Sequence, residues 1–148
     1  MRFQLFGPLA VSDEAGPVEI PGPLARAILA VLLLEAGSPV SAERLIAELW
    51  GERPPRSATA SLYNHVGRLR GYLRGAGGGE RIKTVSPGYL IEVEPGELDT
   101  ASFAGHCARG QRALRGADWR TAADEFSAAL GLWRGDPLAD VQIARTHV

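Results

Sequence analysis

Asn64, Gly67, Arg68 and Gly71 define the chemistry this chain can offer a partner. At 100° per residue they fall on one side of a helix, with Ser57 beside them and Ser61 and Arg74 at the edges. Leu62, Val66, Leu69 and Leu73 fall on the other side. An Asn amide matches the paired donor and acceptor of an adenine edge, and a guanidinium matches the two acceptors of a guanine edge. Gly67 and Gly71 put no side chain between the helix backbone and whatever approaches it. An ordinary solvated helix face has the same composition, so the face alone leaves both readings open. Charge favours the first. From Arg56 to Lys83 there are six basic residues and one acid, Glu80, a local +5 in a chain of net charge −1. Such an excess fits a surface that tracks phosphates, with a solvated charge run as the alternative.

The surrounding elements must hold that helix. Residues 2–20 read as short strands: Arg2-Phe3-Gln4-Leu5 and Val18-Glu19-Ile20 alternate polar and apolar, separated by turns at Gly7-Pro8 and Ala15-Gly16-Pro17. Pro21-Gly22-Pro23 opens a first helix with a stripe at Leu24, Ile28, Val31 and Leu32. Gly37 stands where a C-cap glycine belongs, and Pro39 blocks continuation. Ser41 is placed to cap a second helix, with a stripe at Leu45, Ile46, Leu49 and Trp50. After the loop Gly51–Pro55, the third helix runs from about Ser57 to Arg74, and the run Gly75–Gly79 ends it. Arg81–Val85 and Tyr89–Val93 around Ser86-Pro87-Gly88 read as a β-hairpin. Strands, three helices and a hairpin are the order of a winged helix-turn-helix, with the third helix as its recognition helix.

Pro95-Gly96 is the expected boundary, giving a first domain over 1–96 and a helical segment over 97–148. Asp99 or Thr100 is positioned to cap one helix, to about Leu114, and Asp118 another, to about Trp133.

Composition bounds the rest. Over 148 residues, 45% are apolar and 22% charged, a globular rather than a disordered balance. The single Cys107 excludes an internal disulfide framework and a Cys-rich zinc site; it is expected to be a buried small residue. The histidines at 65, 106 and 147 are far apart, His65 being expected as a packed or exposed neutral ring on the flank of its helix. His106 and Cys107 would point about 100° apart on a helix. Gly75–Gly79 follows a helix instead of opening one, so it is no phosphate loop. No reaction, metal or cofactor is nominated. The start lacks a signal peptide, and the apolar run Leu24–Leu34 is too short to span a bilayer. A cytoplasmic setting without a membrane partner is the expectation.

Against this background the residues resemble a known family. Asn64-His65-Val66-Gly67-Arg68-Leu69-Arg70 looks like the recognition-helix core of OmpR-type winged helices, and Ile82-Lys83-Thr84-Val85-Ser86-Pro87-Gly88-Tyr89 resembles their wing. Ser86-Pro87 stands where many relatives carry Arg-Gly, which removes a possible wing arginine. The opening Arg2–Leu9, the Leu45–Gly51 turn, Pro54-Pro55 and Leu132-Trp133-Arg134-Gly135-Asp136-Pro137-Leu138 resemble the Streptomyces antibiotic regulatory proteins (SARPs). The fold this implies is mainly α with small β-sheets (α+β), an OmpR-type winged helix-turn-helix followed by a tetratricopeptide-like segment, the start of a bacterial transcriptional activation domain. The function it implies is a transcription activator of antibiotic biosynthesis genes. Its partners would be promoter direct repeats in double-stranded DNA, a second copy head-to-tail on that DNA, and RNA polymerase including its sigma factor.

Carried over by position, Asn64 and Arg68, with Ser61, are the expected base contacts. Arg56, Thr59, Arg70, Arg74 and Lys83 are the expected phosphate contacts. Thr59 is placed by the helix start, where N–H groups also bind phosphate. Arg70 lies nearer the buried stripe, and a salt bridge within the domain is its alternative. The loop Gly51–Pro55, with Glu52 and Arg53 at its tip, occupies the place where OmpR-type proteins meet polymerase; a plain connector is the other reading. Ala117, Ala122, Phe126, Ala129 and Leu130 fit the second helix of a tetratricopeptide-like repeat, and Gly110 the small position of its first. Trp119, Phe126 and Trp133 are expected in a core. One helix pair buries its apolar face poorly, and the family's activation domain is longer, so the chain is expected to be a piece of a longer protein; the alternative is that the helix pair packs back on the winged helix through Trp119, Phe126 or Trp133. The other function class is a non-catalytic protein-interaction module with a structural winged helix.

Overall fold

A computed structural model describes residues 1–144; 145–148, which include His147 and the chain end, lie outside the described residues. Among the described residues the elements are β1 (Arg2–Gln4), β2 (Ala10–Asp13), β3 (Gly16–Val18), α1 (Pro23–Leu34), β4 (Val40–Ser41), α2 (Ala42–Trp50), α3 (Ala58–Gly75), β5 (Ile82–Val85), β6 (Gly88–Ile91), α4 (Asp99–Arg115) and α5 (Trp119–Gly131). The fold is α+β. It divides into two compact units. One comprises Met1, Val11–Val93 and, of the described residues, 141–144; the other comprises Arg2–Ala10 and Glu94–Asp140.

In the first unit α1 is the hub. The expected stripe at Leu24, Ile28, Val31 and Leu32 proves too narrow: Ala25 and every residue from Ala27 to Leu33 are buried, while Leu24 is half-buried. A helix apolar nearly all round is a central helix, and α2, α3 and β6 all pack on it. Gly22, at φ +91, and Pro23 open it. Gly37, expected at the C-cap, sits two residues past the capping Glu35, and its N–H donates to the Ile91 carbonyl at 2.9 Å. Ser41 caps α2 as expected, its hydroxyl accepting from the Arg44 N–H at 3.0 Å. β2 and β3 form an antiparallel hairpin. β4, β6 and β5 lie in that order, antiparallel, with Val40 opposite Tyr89 and Thr84 opposite Tyr89 from the other side.

The second unit is built on α4 and α5, which fold back on each other through Gly116, Ala117 (φ +56) and Asp118. Asp118 caps α5 by accepting from the Thr121 N–H at 3.2 Å. Gly110 serves as the small position: a Cβ there would meet the Phe126 ring at 2.6–3.0 Å. Ala122 and Ala129 are buried. β1 docks beside the start of α4, with the Phe3 N–H donating to the Glu97 carbonyl at 2.7 Å. Asp99 does not cap α4. Its buried carboxylate accepts from the Leu5 N–H at 2.8 and 2.9 Å and from the Phe6 N–H at 3.0 Å. Two backbone donors from the chain start outcompete the local cap, because a buried carboxylate needs partners wherever they come from.

Phe6 stacks on Trp133, with centroids 4.4 Å apart, and meets Phe103 edge-on at 5.3 Å. Trp119 is 67% exposed, Leu130 70% and Trp133, despite its stacking on Phe6, 44%, so these expected packing residues are outside the core, and Phe126 is half-buried. Cys107 is half-buried, not buried. His106, Arg109 and Glu125 join α4 to α5: Nδ1 of His106 lies 2.7 Å from Glu125 Oε2, and Arg109 Nε donates to Oε1 at 3.1 Å. The His106 hydrogen bond, then that of Arg109, holds the Glu125 carboxyl below the usual carboxylate range. No helix of the described residues is long and apolar enough to cross a membrane.

Candidate nucleic-acid interface

α3 carries the site. Ala58, Leu62, Val66, Leu69 and Leu73 are buried, so the stripe read from the sequence is the face that meets α1 and α2. Burial of that stripe turns the opposite face outward. Asn64 and Arg68, one turn apart, are both exposed. Among the described residues neither side chain forms a hydrogen bond or ion pair, so their donors and acceptors are available.

Gly67 and Gly71 lie on the same face in helical conformation, and a Cβ at either would stand in open space. Glycine inside a helix costs about 0.8–1.0 kcal/mol relative to alanine. Nothing lies within 4 Å of a Cβ there to require it at these two positions. A backbone that a partner approaches closely from outside would require it.

The other expected contacts divide. Arg56 in the turn before α3, Thr59 in its first turn and Lys83 on β5 are exposed, and among the described residues neither Arg56 nor Lys83 makes an ion pair. Ser61 is half-buried; its hydroxyl lies 3.4 Å from His65 Nδ1, which lies 2.7 Å from the Ser61 carbonyl. His65 is therefore turned back onto its own helix. Arg74 pairs with Glu80, Nε to Oε1 at 2.6 Å, both half exposed or more. Arg70 bonds the hairpin: Nε donates to the Ile82 carbonyl at 3.1 Å and Nη2 to the Thr84 hydroxyl at 2.7 Å, with the guanidinium 5.6 Å from the Tyr89 ring centre. Its partners are a carbonyl, a hydroxyl and a ring, not the carboxylate that its alternative reading supposed.

Arg81 also faces inward, donating to the Gly78 and Glu92 carbonyls at 2.9 and 3.3 Å. Of the six basic residues in the stretch, Arg56, Arg68 and Lys83 have no such partner among the described residues.

The hairpin is held close to the helices by Gly88. A Cβ there would collide with the Val40 carbonyl oxygen and come within 2.7 Å of Ser41 Cα, so only glycine lets β4 pair with β6. Lys83, Thr84, Val85, Ser86 and Pro87 project into solvent, and Ser86-Pro87 is the two-residue turn, with a cis peptide bond. Two residues of α3 escaped the sequence reading. Ala60 is exposed on the outward face one turn before Asn64, and Tyr63 is 70% exposed on its flank. The same 100° spacing places both, and a small methyl or a phenol there suits a thymine methyl or a phosphate.

Comparison with known proteins fits this geometry. The family model described as "Transcriptional regulatory protein, C terminal" matches residues 21–91, from the entry to α1 to the end of the hairpin. The model "Bacterial transcriptional activator domain" matches 98–148. The chain is 35% identical over 144 residues to the transcriptional regulatory protein EmbR of Mycobacterium tuberculosis, covering 96% of this chain and 37% of that protein. It is 32% identical over 148 residues to the regulatory protein DnrI of Streptomyces peucetius, covering 95% and 54%. To the transcriptional regulator RedD of Streptomyces coelicolor it is 31% identical, covering 95% and 41%. The solved structure of M. tuberculosis EmbR in complex with a low affinity phosphopeptide superposes with a TM-score of 0.90 at 34% identity, covering 95% of this chain and 38% of that one. The chain thus spans between about a third and about half of the length of these curated relatives.

Proposed function

Because the chain belongs to the SARP-type bacterial regulators, which join an OmpR-type winged helix to a bacterial transcriptional activator domain, we propose that it is a sequence-specific DNA-binding transcriptional activator. One observation carries the reading: α3 buries one apolar stripe and leaves Asn64, Arg68 and two otherwise unexplained glycines on the face opposite. α3 enters the major groove, where Asn64 and Arg68 read base edges with Ser61 at the margin. Arg56, Thr59, Arg74 and Lys83 lie along the phosphates, and Arg70 adds its charge beside them. The hairpin rests on the backbone next to the groove.

The finer reading follows the family. The DNA-reading domain is 1–96, and 97–148 belongs to the activation domain. The site is a pair of direct repeats near a promoter, bound by two copies head-to-tail. Repeats one helical turn apart put both copies on one face of the duplex. The loop Gly51–Pro55 and the helical segment then meet RNA polymerase and its sigma factor. The regulated genes are those of antibiotic biosynthesis, in a bacterial cytoplasm at the nucleoid.

The test is fluorescence anisotropy against a duplex library from high-GC promoter DNA in a salt series, with wild type and Asn64→Ala/Arg68→Ala. Each phosphate neutralised contributes roughly −0.9 to the log–log salt slope, so four contacts give about −3.6. Loss of a good bidentate base contact removes about 1–3 kcal/mol of discrimination. Site-selective, salt-steep binding that the double variant loses supports the proposal. No binding at low salt overturns it in favour of a protein-interaction module.

A further inference from the structure

Arg70 was expected among the phosphate contacts, yet two of its donors are already committed. Nε donates to the Ile82 carbonyl at 3.1 Å, Nη2 to the Thr84 hydroxyl at 2.7 Å, and the guanidinium carbon lies 5.6 Å from the Tyr89 ring centre. Ile82 and Thr84 are on β5, and Tyr89, opposite Thr84 in the ladder, is on β6. One side chain of α3 thus grips both strands of the hairpin. β5 is an edge strand, paired only with β6, and three of its four residues are exposed. Such a strand has little buried area of its own to fix its angle to a helix.

We infer that Arg70 is a positioning residue, which locks the hairpin to α3 so that helix and wing meet DNA as one rigid body. Lys83, which has no ion-pair partner among the described residues, sits between Ile82 and Thr84 on β5, so the grip that fixes its neighbours also fixes where its charge stands. A wing that swings freely must be ordered on binding, and that ordering subtracts from affinity. A phosphate contact needs only the charge of Arg70. The lock needs its geometry: a planar fork with two donors at a set angle and a flat face toward a ring, which lysine does not have.

Arg70→Lys therefore separates the two roles, and the first readout needs no DNA. Amide hydrogen exchange over β5 and β6 in the free protein should accelerate roughly 5- to 30-fold in Arg70→Lys and in Arg70→Ala, the loss of one to two net hydrogen bonds. Exchange in α1 should be unchanged, which shows that the unit is folded. The second readout rests on the proposed DNA reading. Lys83→Ala should weaken binding in the wild-type background and have little further effect in Arg70→Lys, because an unlocked wing no longer holds the lysine at the phosphate. The lock is refuted if Arg70→Lys protects the hairpin amides as wild type does. It is equally refuted if Lys83→Ala costs the same in both backgrounds. If wild type binds no DNA at all, the proposed function fails, while hydrogen exchange still decides whether Arg70 holds the hairpin.

Discussion

Replacing Gly67 and Gly71 by alanine should move stability and binding in opposite directions. In the free protein both positions are helical, exposed and open, so an added Cβ meets nothing within 4 Å. Alanine then restricts the unfolded chain and adds helix propensity, at about 0.8–1.0 kcal/mol per site. The pair should stabilise the winged-helix unit by about 2 kcal/mol. Thermal melting should rise by roughly 8–16 °C if a unit of that size melts alone, and by about half that if the chain melts as one. In the proposed complex with DNA the same methyl groups stand on the face that approaches the groove. Each projects about 1.5 Å from the backbone. Backing the helix off by that distance stretches hydrogen bonds of about 2.9 Å beyond the range in which they hold. With the proposed bidentate contacts of Asn64 and Arg68 worth about 1–3 kcal/mol each, loss of either means roughly 5- to 150-fold weaker specific binding. Denaturant melts and anisotropy on the same samples check both halves. A double variant that is more stable and binds its site as tightly as wild type refutes the close-approach argument. One that is no more stable refutes the claim that these glycines are unconstrained in the free protein.

Three further outcomes are expected. Glu80→Gln frees Arg74 from its 2.6 Å ion pair; the salt slope of DNA binding should steepen by up to about one unit, with tighter binding at low salt. An unchanged slope would mean that Arg74 does not reach the backbone. Gly110→Ala drives a methyl into the Phe126 ring at 2.6–3.0 Å and should destabilise the helix pair by about 1–3 kcal/mol. Adding Phe126→Leu should restore part of the loss, and no restoration would place the strain elsewhere. The Glu125 carboxyl is held below its usual range by His106 and then Arg109. Its contribution is therefore full above the ordinary glutamate value of about 4.3 and is lost as pH falls through the lowered folded value. Acid titration followed by circular dichroism should show Glu125→Gln with a flatter stability profile in that acid range than wild type.

Much of this protein was legible in the sequence where the signal is local. Leu62, Val66, Leu69 and Leu73 are all buried, because a helix of known period can bury only one such stripe. The outward face, with Asn64 and Arg68, follows from the same period. Ser41 and Asp118 cap the helices expected of them, since a cap is a bond over three residues and needs no distant partner. The hairpin around Ser86-Pro87 forms where alternation and a turn predict it.

What depends on distant chain was decided only by the tertiary structure. Asp99 reads locally as a cap, but the amides of Leu5 and Phe6, more than ninety residues away in sequence, take its carboxylate. Residues 2–10 precede the three helices in sequence yet cluster in the fold with 94–140, held by bonds such as Arg134 Nη2 to the Pro8 carbonyl at 2.6 Å. α1 shows a stripe in sequence yet is buried almost all round, because burial depends on how many elements surround a helix as well as on its own period. Arg70 sits on the flank of α3, where its angle permits either DNA or protein, and the docked hairpin chose the protein. Periodicity and caps act over a few residues, so the sequence by itself determined which helices form and which face α3 buries. Which distant groups meet a side chain at the edge of a face depends on the packing of whole elements, and only the folded chain could settle it.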